Sequence, residues 1–147
     1  HVHLDRFARP PAVLAAAAAA RVVCVAVTET PKDYELLSAR IGKRPNVRVA
    51  LGAHPLRAAA LGPEQLRRFA GLLARVDYVG EIGLDGSREG RATLASQRRV
   101  LDQILAAPGI GEKILTVHSR GAEAEMVSAL ADANARAILH WYSGALK

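Results

Sequence analysis

Short apolar runs alternate with longer stretches whose apolar residues recur every three or four positions, and the rhythm persists along all 147 residues. Residues 21–28, 47–51, 78–84, 113–117 and 136–139 are compact apolar runs rich in Val and Ile. Continuous apolar character of that kind predicts strands of a parallel sheet buried on both faces. Residues 1–4 read as the end of a further strand. Helical spacing occupies residues 11–20, 32–41, 63–75, 91–106 and 122–133. The fourth of these aligns Leu94, Val100, Leu101, Ile104 and Leu105 in one stripe, with Arg98, Arg99 and Asp102 mostly off it, so it packs one face on a core. Strands alternating with helices of this length make parallel βαβ units.

Right-handed crossovers then leave an open doubly wound sheet or a closed barrel. Polar residues decide between them. Nearly every predicted strand carries a chemically capable side chain at its C-terminal end, as in (β/α)8 barrels, and no glycine-rich phosphate turn is present. The expected fold class is therefore α/β, a partial TIM (β/α)8 barrel. About six strands are countable against the eight a barrel requires, and such barrels run to roughly 250 residues. Residues 1–147 are accordingly expected to form a single incomplete barrel domain, cut at both ends.

Composition narrows the function classes. Half of the residues are hydrophobic and 23% are charged, which is globular rather than disordered. The net charge of +6 attracts polyanions in a salt-sensitive way. The 16 arginines are scattered, however, and six aromatic residues make no stacking platform. Cys24 stands alone in an apolar run and reads as a buried, inert thiol. No segment is long enough to span a bilayer, so no membrane partner is expected and a cytoplasmic location fits best.

All five histidines fall in strand-end contexts: His1-Val2-His3, Gly52-Ala53-His54-Pro55, Val117-His118-Ser119-Arg120 and His140-Trp141-Tyr142. The run Val79-Gly80-Glu81-Ile82-Gly83-Leu84-Asp85 puts a carboxylate in the same kind of position. Alternate residues of a strand share a face. His1 with His3, Glu81 with Asp85, His118 with Arg120 and His140 with Tyr142 can thus each point one way. A single His-x-His is an exposed pair as readily as a metal grip, and Glu81 alone needs either a cation or an arginine partner. Imidazoles and a carboxylate gathered from four strands at one barrel mouth are hard to account for without a divalent ion. His54 reads as a substrate contact or a structural turn residue. Arg120 reads as a clamp for an anionic oxygen or as half of a salt bridge. Asp85 orients a ligand or caps a turn. Trp141 and Tyr142 line the mouth or fill the barrel top.

These motifs resemble, in order and spacing, those of TatD-type metal-dependent deoxyribonucleases of the amidohydrolase-like superfamily. The residues concerned are His1-x-His3-Leu4-Asp5, Gly52-x-His54-Pro55, Gly80-Glu81-Ile82-Gly83-Leu84-Asp85, His118-x-Arg120 and His140-x-x-x-Gly144. Gly86-Ser87 and His140-Trp141-Tyr142-Ser143-Gly144 look most like the TatD-family nuclease of the bacterial Qat anti-phage system. The resemblance implies two divalent metal ions, Mg2+, Mn2+ or Zn2+. His1, His3 and Glu81 would hold one, and Glu81 would bridge to a second held by His118 and His140. It implies that His54 and Arg120 contact the scissile phosphate. The family's remaining ligand, an aspartate in a Thr-Asp-x-Pro-like motif, has no counterpart in this sequence, so the chain alone is expected to be nearly inactive.

The leading expectation is hydrolysis of DNA phosphodiesters at single-stranded or frayed ends by a two-metal mechanism, within a defence module and alongside other defence-system proteins. A hydrolase of a small ester, amide or lactone shares the same metal chemistry. A non-catalytic assembly subunit of a defence complex, using the metal for folding or docking, is the reading from another class.

Overall fold

The computed structural model describes residues 1–145. Five parallel strands alternate with five α-helices: α1 (Pro10–Ala19), β1 (Cys24–Ala26), α2 (Pro31–Ile41), β2 (Val47–Val49), α3 (Pro63–Leu73), β3 (Tyr78–Gly83), α4 (Leu94–Leu105), β4 (Ile114–His118), α5 (Glu123–Asp132) and β5 (Arg136–Leu139). β1 pairs with β2, and β3 with β4 and then β5, all parallel. Isolated parallel bridges, Val2 to Ala26 and Leu51 to Val79, link the first segment to β1 and β2 to β3. Strand order in space thus follows strand order in sequence. A doubly wound sheet would reverse direction at a switch point; this arrangement is the barrel's.

Local chemistry explains the boundaries. Of the five helices, α1, α2 and α3 begin on proline, whose fixed φ suits the first turn. Thr30 caps α2 by accepting from the Asp33 amide at 3.2 Å, and Gly42 closes it with φ +65°, a favoured helix stop. Two expectations shift. The strand read over 21–28 shortens to Cys24–Ala26, because Arg21 turns with φ +57° and the Val22 amide bonds back to Ala17 of α1. Val22 and Val23 are spent on that return and stay exposed. The strand read over 1–4 contracts to the Val2 bridge, followed by a single 3-10 turn, Leu4–Arg6.

The main core joins the sheet to its helices. Val79, Ile82, Leu84, Leu115 and Val117 meet Phe69 and Leu73 of α3, Val100, Leu101 and Ile104 of α4, and Met126 and Leu130 of α5. A smaller cluster of Leu4, Leu14, Cys24, Ala26, Leu37 and Val47 seals the first strands against α1 and α2. Cys24 is buried there as a free thiol. No described helix is long and apolar enough to cross a membrane.

Candidate metal centre

An irregularity in β3 aims the central carboxylate. Val79 lies opposite Leu115 and Ile82 opposite Val117, so β3 advances three residues while β4 advances two. One extra residue is the signature of a bulge, which redirects a side chain. At Gly80 and Glu81 the backbone bonds leave β4 and go to neighbours: the Glu81 amide donates to the Thr28 carbonyl at 3.1 Å and the Gly80 amide to Leu51 at 2.8 Å. Gly80 (φ +157°) admits this path, and a Cβ there would sit 2.1 Å from Thr116 Cγ2.

The Glu81 carboxylate is 1% exposed, and all five histidines of the chain converge on it. Its Oε2 lies 3.0 Å from His3 Nε2, 3.5 Å from His1 Nε2 and 3.6 Å from His54 Nε2. Its Oε1 lies 2.9 Å from His118 Nδ1 and 3.0 Å from His140 Nε2. Each oxygen therefore faces its own group of imidazoles. Burial works against the charged form of Glu81, yet the surrounding His118, His140 and His3 rings hold its carboxyl far below the ordinary range.

Two outer nitrogens, on His118 and His1, are held from outside the cluster, whereas Nδ1 of His3 and of His140 is buried with no hydrogen-bond partner among the described residues. His118 Nε2 pairs with Asp85 Oδ2 at 2.8 Å, a carboxylate–histidine arrangement that fixes ring orientation and raises ligand basicity. Burial opposes protonation of His118, but Glu81 and Asp85 outweigh it and raise its pKa. Cation binding at this ring therefore competes with its proton. His1 Nδ1 meets Thr116 Oγ1 at 2.8 Å, and the His1 and His140 rings stack with centroids 3.9 Å apart. His54 differs. Its Nδ1 accepts from the Leu56 amide at 3.2 Å, which leaves the proton on Nε2, and burial pushes its pKa down. His54 thus presents a neutral N–H donor to the site, and it also secures the turn after β2.

Does this set suit a metal? Glu81 Oε2 is buried without a hydrogen bond although three imidazole nitrogens stand within 3.6 Å. Ligand atoms of His1, His3 and Glu81 lie within 4.8 Å of one another, as do those of His54, Glu81 and His118. Imidazole and carboxylate are ligand types that divalent transition metals favour. The residues fit.

A family model described as TatD related DNase matches residues 1–147. The chain belongs to the TatD family. The crystal structure of YJJV, a TatD homologue from Escherichia coli K12, matches this fold with a TM-score of 0.82 at 24% sequence identity. That match covers 99% of this chain and 60% of the YJJV chain, so the present sequence spans under two thirds of its length. A comparison with curated proteins returned no match. The shared fold is a TIM-barrel-like α/β architecture, and TatD proteins are metal-dependent hydrolases, in keeping with the histidine–glutamate cluster.

Outside the cluster, the TatD-family chain places Arg120 on an exposed rim. Its side chain makes no hydrogen bond or ion pair among the described residues, and with Ser87, Arg88 and Glu89 it lines a shallow depression. The salt-bridge reading of Arg120 is thereby removed. Trp141 is 97% exposed, so it neither fills the barrel top nor packs against the described mouth. Tyr142 turns to the Ala145 carbonyl at 3.4 Å rather than sharing a face with His140.

One supporting residue escaped the sequence reading. Gln97 of α4 is 1% exposed. Its Oε1 accepts from the Asp85 amide at 2.7 Å, and its Nε2 donates to the carbonyls of Gly90 at 2.8 Å and Asp85 at 3.3 Å. It thereby fixes the loop that holds Asp85 against His118. The available signal was position: Gln97 sits three residues after Leu94 and three before Val100, on the apolar stripe. Replacing it with leucine keeps the volume and leaves the Asp85 amide and carbonyl without their partner, at about 1–3 kcal/mol, while the Gly90 carbonyl keeps its bonds from Thr93. The expected result is a lower urea midpoint together with divalent-metal affinity weakened about tenfold or more. Unchanged calorimetric affinity would confine Gln97 to a packing role.

Proposed function

We propose that this TatD-family chain forms the metal-binding part of a two-metal deoxyribonuclease. The observation that carries the reading is the division of five imidazoles between the two oxygens of one buried carboxylate. His1, His3 and Glu81 would hold one ion, and Glu81, His118 and His140 the other. Divalent ions in such sites polarise a phosphoryl oxygen and acidify water near neutral pH.

The remaining work falls to the protein. Glu81, held ionised by its neighbours, supplies the negative charge shared by the two groups of imidazoles. Asp85 keeps the His118 ring turned with Nδ1 toward Glu81. His54 Nε2–H donates to an oxygen of the scissile phosphate, its proton fixed there by the Leu56 amide. The exposed Arg120, without a side-chain partner among the described residues, offers two parallel N–H donors to the same substrate. A phosphodiester suits these donors, because its anionic oxygens accept from a neutral imidazole and a guanidinium together.

Single-stranded or frayed DNA ends reach a rim site of this kind more readily than duplex. A role in anti-phage defence with partner proteins, in the cytoplasm, rests on the resemblance of Gly86-Ser87 and of residues 140–144 to the Qat-system nuclease. The test is a long incubation at excess protein with Mn2+ or Mg2+, since only residual turnover is expected of these residues, on end-labelled single-stranded DNA beside a panel of small esters, amides and lactones. DNA cleavage abolished by chelator supports the reading. Turnover of a small ester with intact DNA would move the function to the wider hydrolase superfamily.

A further inference from the structure

Two arginines share one carboxylate at the edge of the site. Glu29 follows β1, and its backbone carbonyl accepts from the His54 amide at 2.8 Å. Its side chain receives Arg6 Nη2 on Oε1 at 3.0 Å and Arg57 Nε on Oε2 at 2.6 Å. Arg6 stands three residues past His3, and Arg57 three past His54. The chain thus plants a guanidinium just beyond two histidines of the cluster and ties both to one acid.

The charge arithmetic at this place is unusual within the molecule. Arg98 with Glu125 is a one-to-one pair, and Arg68 is shared by two glutamates, all on helix surfaces. Among the described residues, no other carboxylate serves two arginines. Glu29 pairs directly with both guanidiniums, while Asp5, Asp33 and Arg40 line the adjoining cavity. The side chains of Arg6 and Arg57 are 61% and 59% exposed, whereas Glu29 is 16% exposed. The acid lies beneath and the cations face solvent. Each guanidinium spends one N–H on Glu29 in this arrangement, and a guanidinium has five. Donors remain on the outer side of both.

We propose that Arg6 and Arg57, positioned by Glu29, form a binding site for a backbone phosphate neighbouring the scissile one. The inference rests on the deoxyribonuclease reading and names a second contact along the same strand. Glu29 acts through the arginines and touches no substrate. A cavity of about 510 Å³ beside the pair is lined by three acids, Asp5, Glu29 and Asp33, and by two arginines, Arg40 and Arg57. Its acids repel phosphate, which keeps the anion on the outer faces of the two guanidiniums.

The experiment is fluorescence anisotropy of a labelled single-stranded oligonucleotide, in chelator so that nothing is cleaved, over a series of salt concentrations. Arg6→Ala and Arg57→Ala are expected to weaken binding about tenfold each, the size of one charge-assisted contact. The double variant should also lower the salt slope by ~0.7, one phosphate on a single strand. Arg98→Ala, an equal loss of charge on a helix surface, is the control and should lose much less. Glu29→Ala supplies the decisive sign: removing an acid near DNA should tighten binding by charge alone, whereas loss of positioning weakens it. Glu29→Gln keeps an oxygen for one arginine and should weaken binding less, and it carries the same test if the alanine variant fails to fold. Tighter binding by the Glu29 variants, or Arg6 and Arg57 variants matching Arg98→Ala, overturns this inference alone. A wild-type protein that binds no oligonucleotide overturns it together with the deoxyribonuclease reading.

Discussion

Glu81→Ala is expected to abolish measurable divalent-cation binding and, with it, any metal-dependent hydrolysis by the protein. Glu81 is the only group in the cluster that all five imidazoles share, so its loss divides one site into unconnected histidines. Changes to residues that merely support a ligand cost 10–100-fold in affinity; removing the central ligand should cost at least about 100-fold. The clean measurement is a pair of thermal melts. A cation at about 100 times its dissociation constant stabilises the native state by about 2.7 kcal/mol, so Mn2+ should raise the wild-type midpoint and leave the variant's unmoved. The variant also loses a buried acceptor, which lowers its metal-free stability by about 1–3 kcal/mol. A Glu81→Ala protein whose midpoint climbs with Mn2+ as the wild type's does would remove the basis of the proposed centre.

The largest effect on folding is expected from one added methyl group. Gly83 closes β3 with φ +135°, and a Cβ there would lie 2.0 Å from the His118 carbonyl oxygen. That carbonyl accepts from the Leu84 amide at 3.0 Å, so β3 cannot move away without breaking the ladder. Gly83→Ala meets backbone strain and overpacking together, each of about 1–3 kcal/mol. The combined cost should exceed about 3 kcal/mol, a large part of a typical domain's stability. His118 should shift as well, since its backbone takes the collision. Gly71→Ala is the counter-experiment. Gly71 lies inside α3 with nothing within 4 Å of an added Cβ, so the same methyl should stabilise by about 0.5–1 kcal/mol. Urea midpoints moving in opposite directions would bear out both. Equal and small shifts would show that β3 and β4 are not pressed together at Gly83.

The glycines beside Glu81 show how differently a site and its scaffold are encoded. Gly80 and Gly83 flank Glu81 in the sequence, and the string they form carries the strongest part of the TatD resemblance. Neither glycine announces from sequence that its missing side chain makes room for Thr116 or for the His118 backbone. That information belongs to β4, which lies some thirty residues further along the chain (Ile114–His118).

The sequence by itself determined the alternation of strands and helices, the parallel barrel-like order, and the set of residues placed at strand ends. Each of these depends on periodicity or on local chemistry, which act over a few residues and can be read along the chain. His1, His3, Glu81, His118, His140 and the supporting Asp85 were therefore legible before any coordinates. Only the tertiary structure decided which oxygen of Glu81 each imidazole faces, that the His54 proton sits on Nε2, that Gln97 anchors the Asp85 loop, and that Glu29 holds Arg6 and Arg57. Those outcomes follow from a one-residue bulge in β3 and from the register between strands far apart in sequence. A register is a relation between segments, and no single segment contains it.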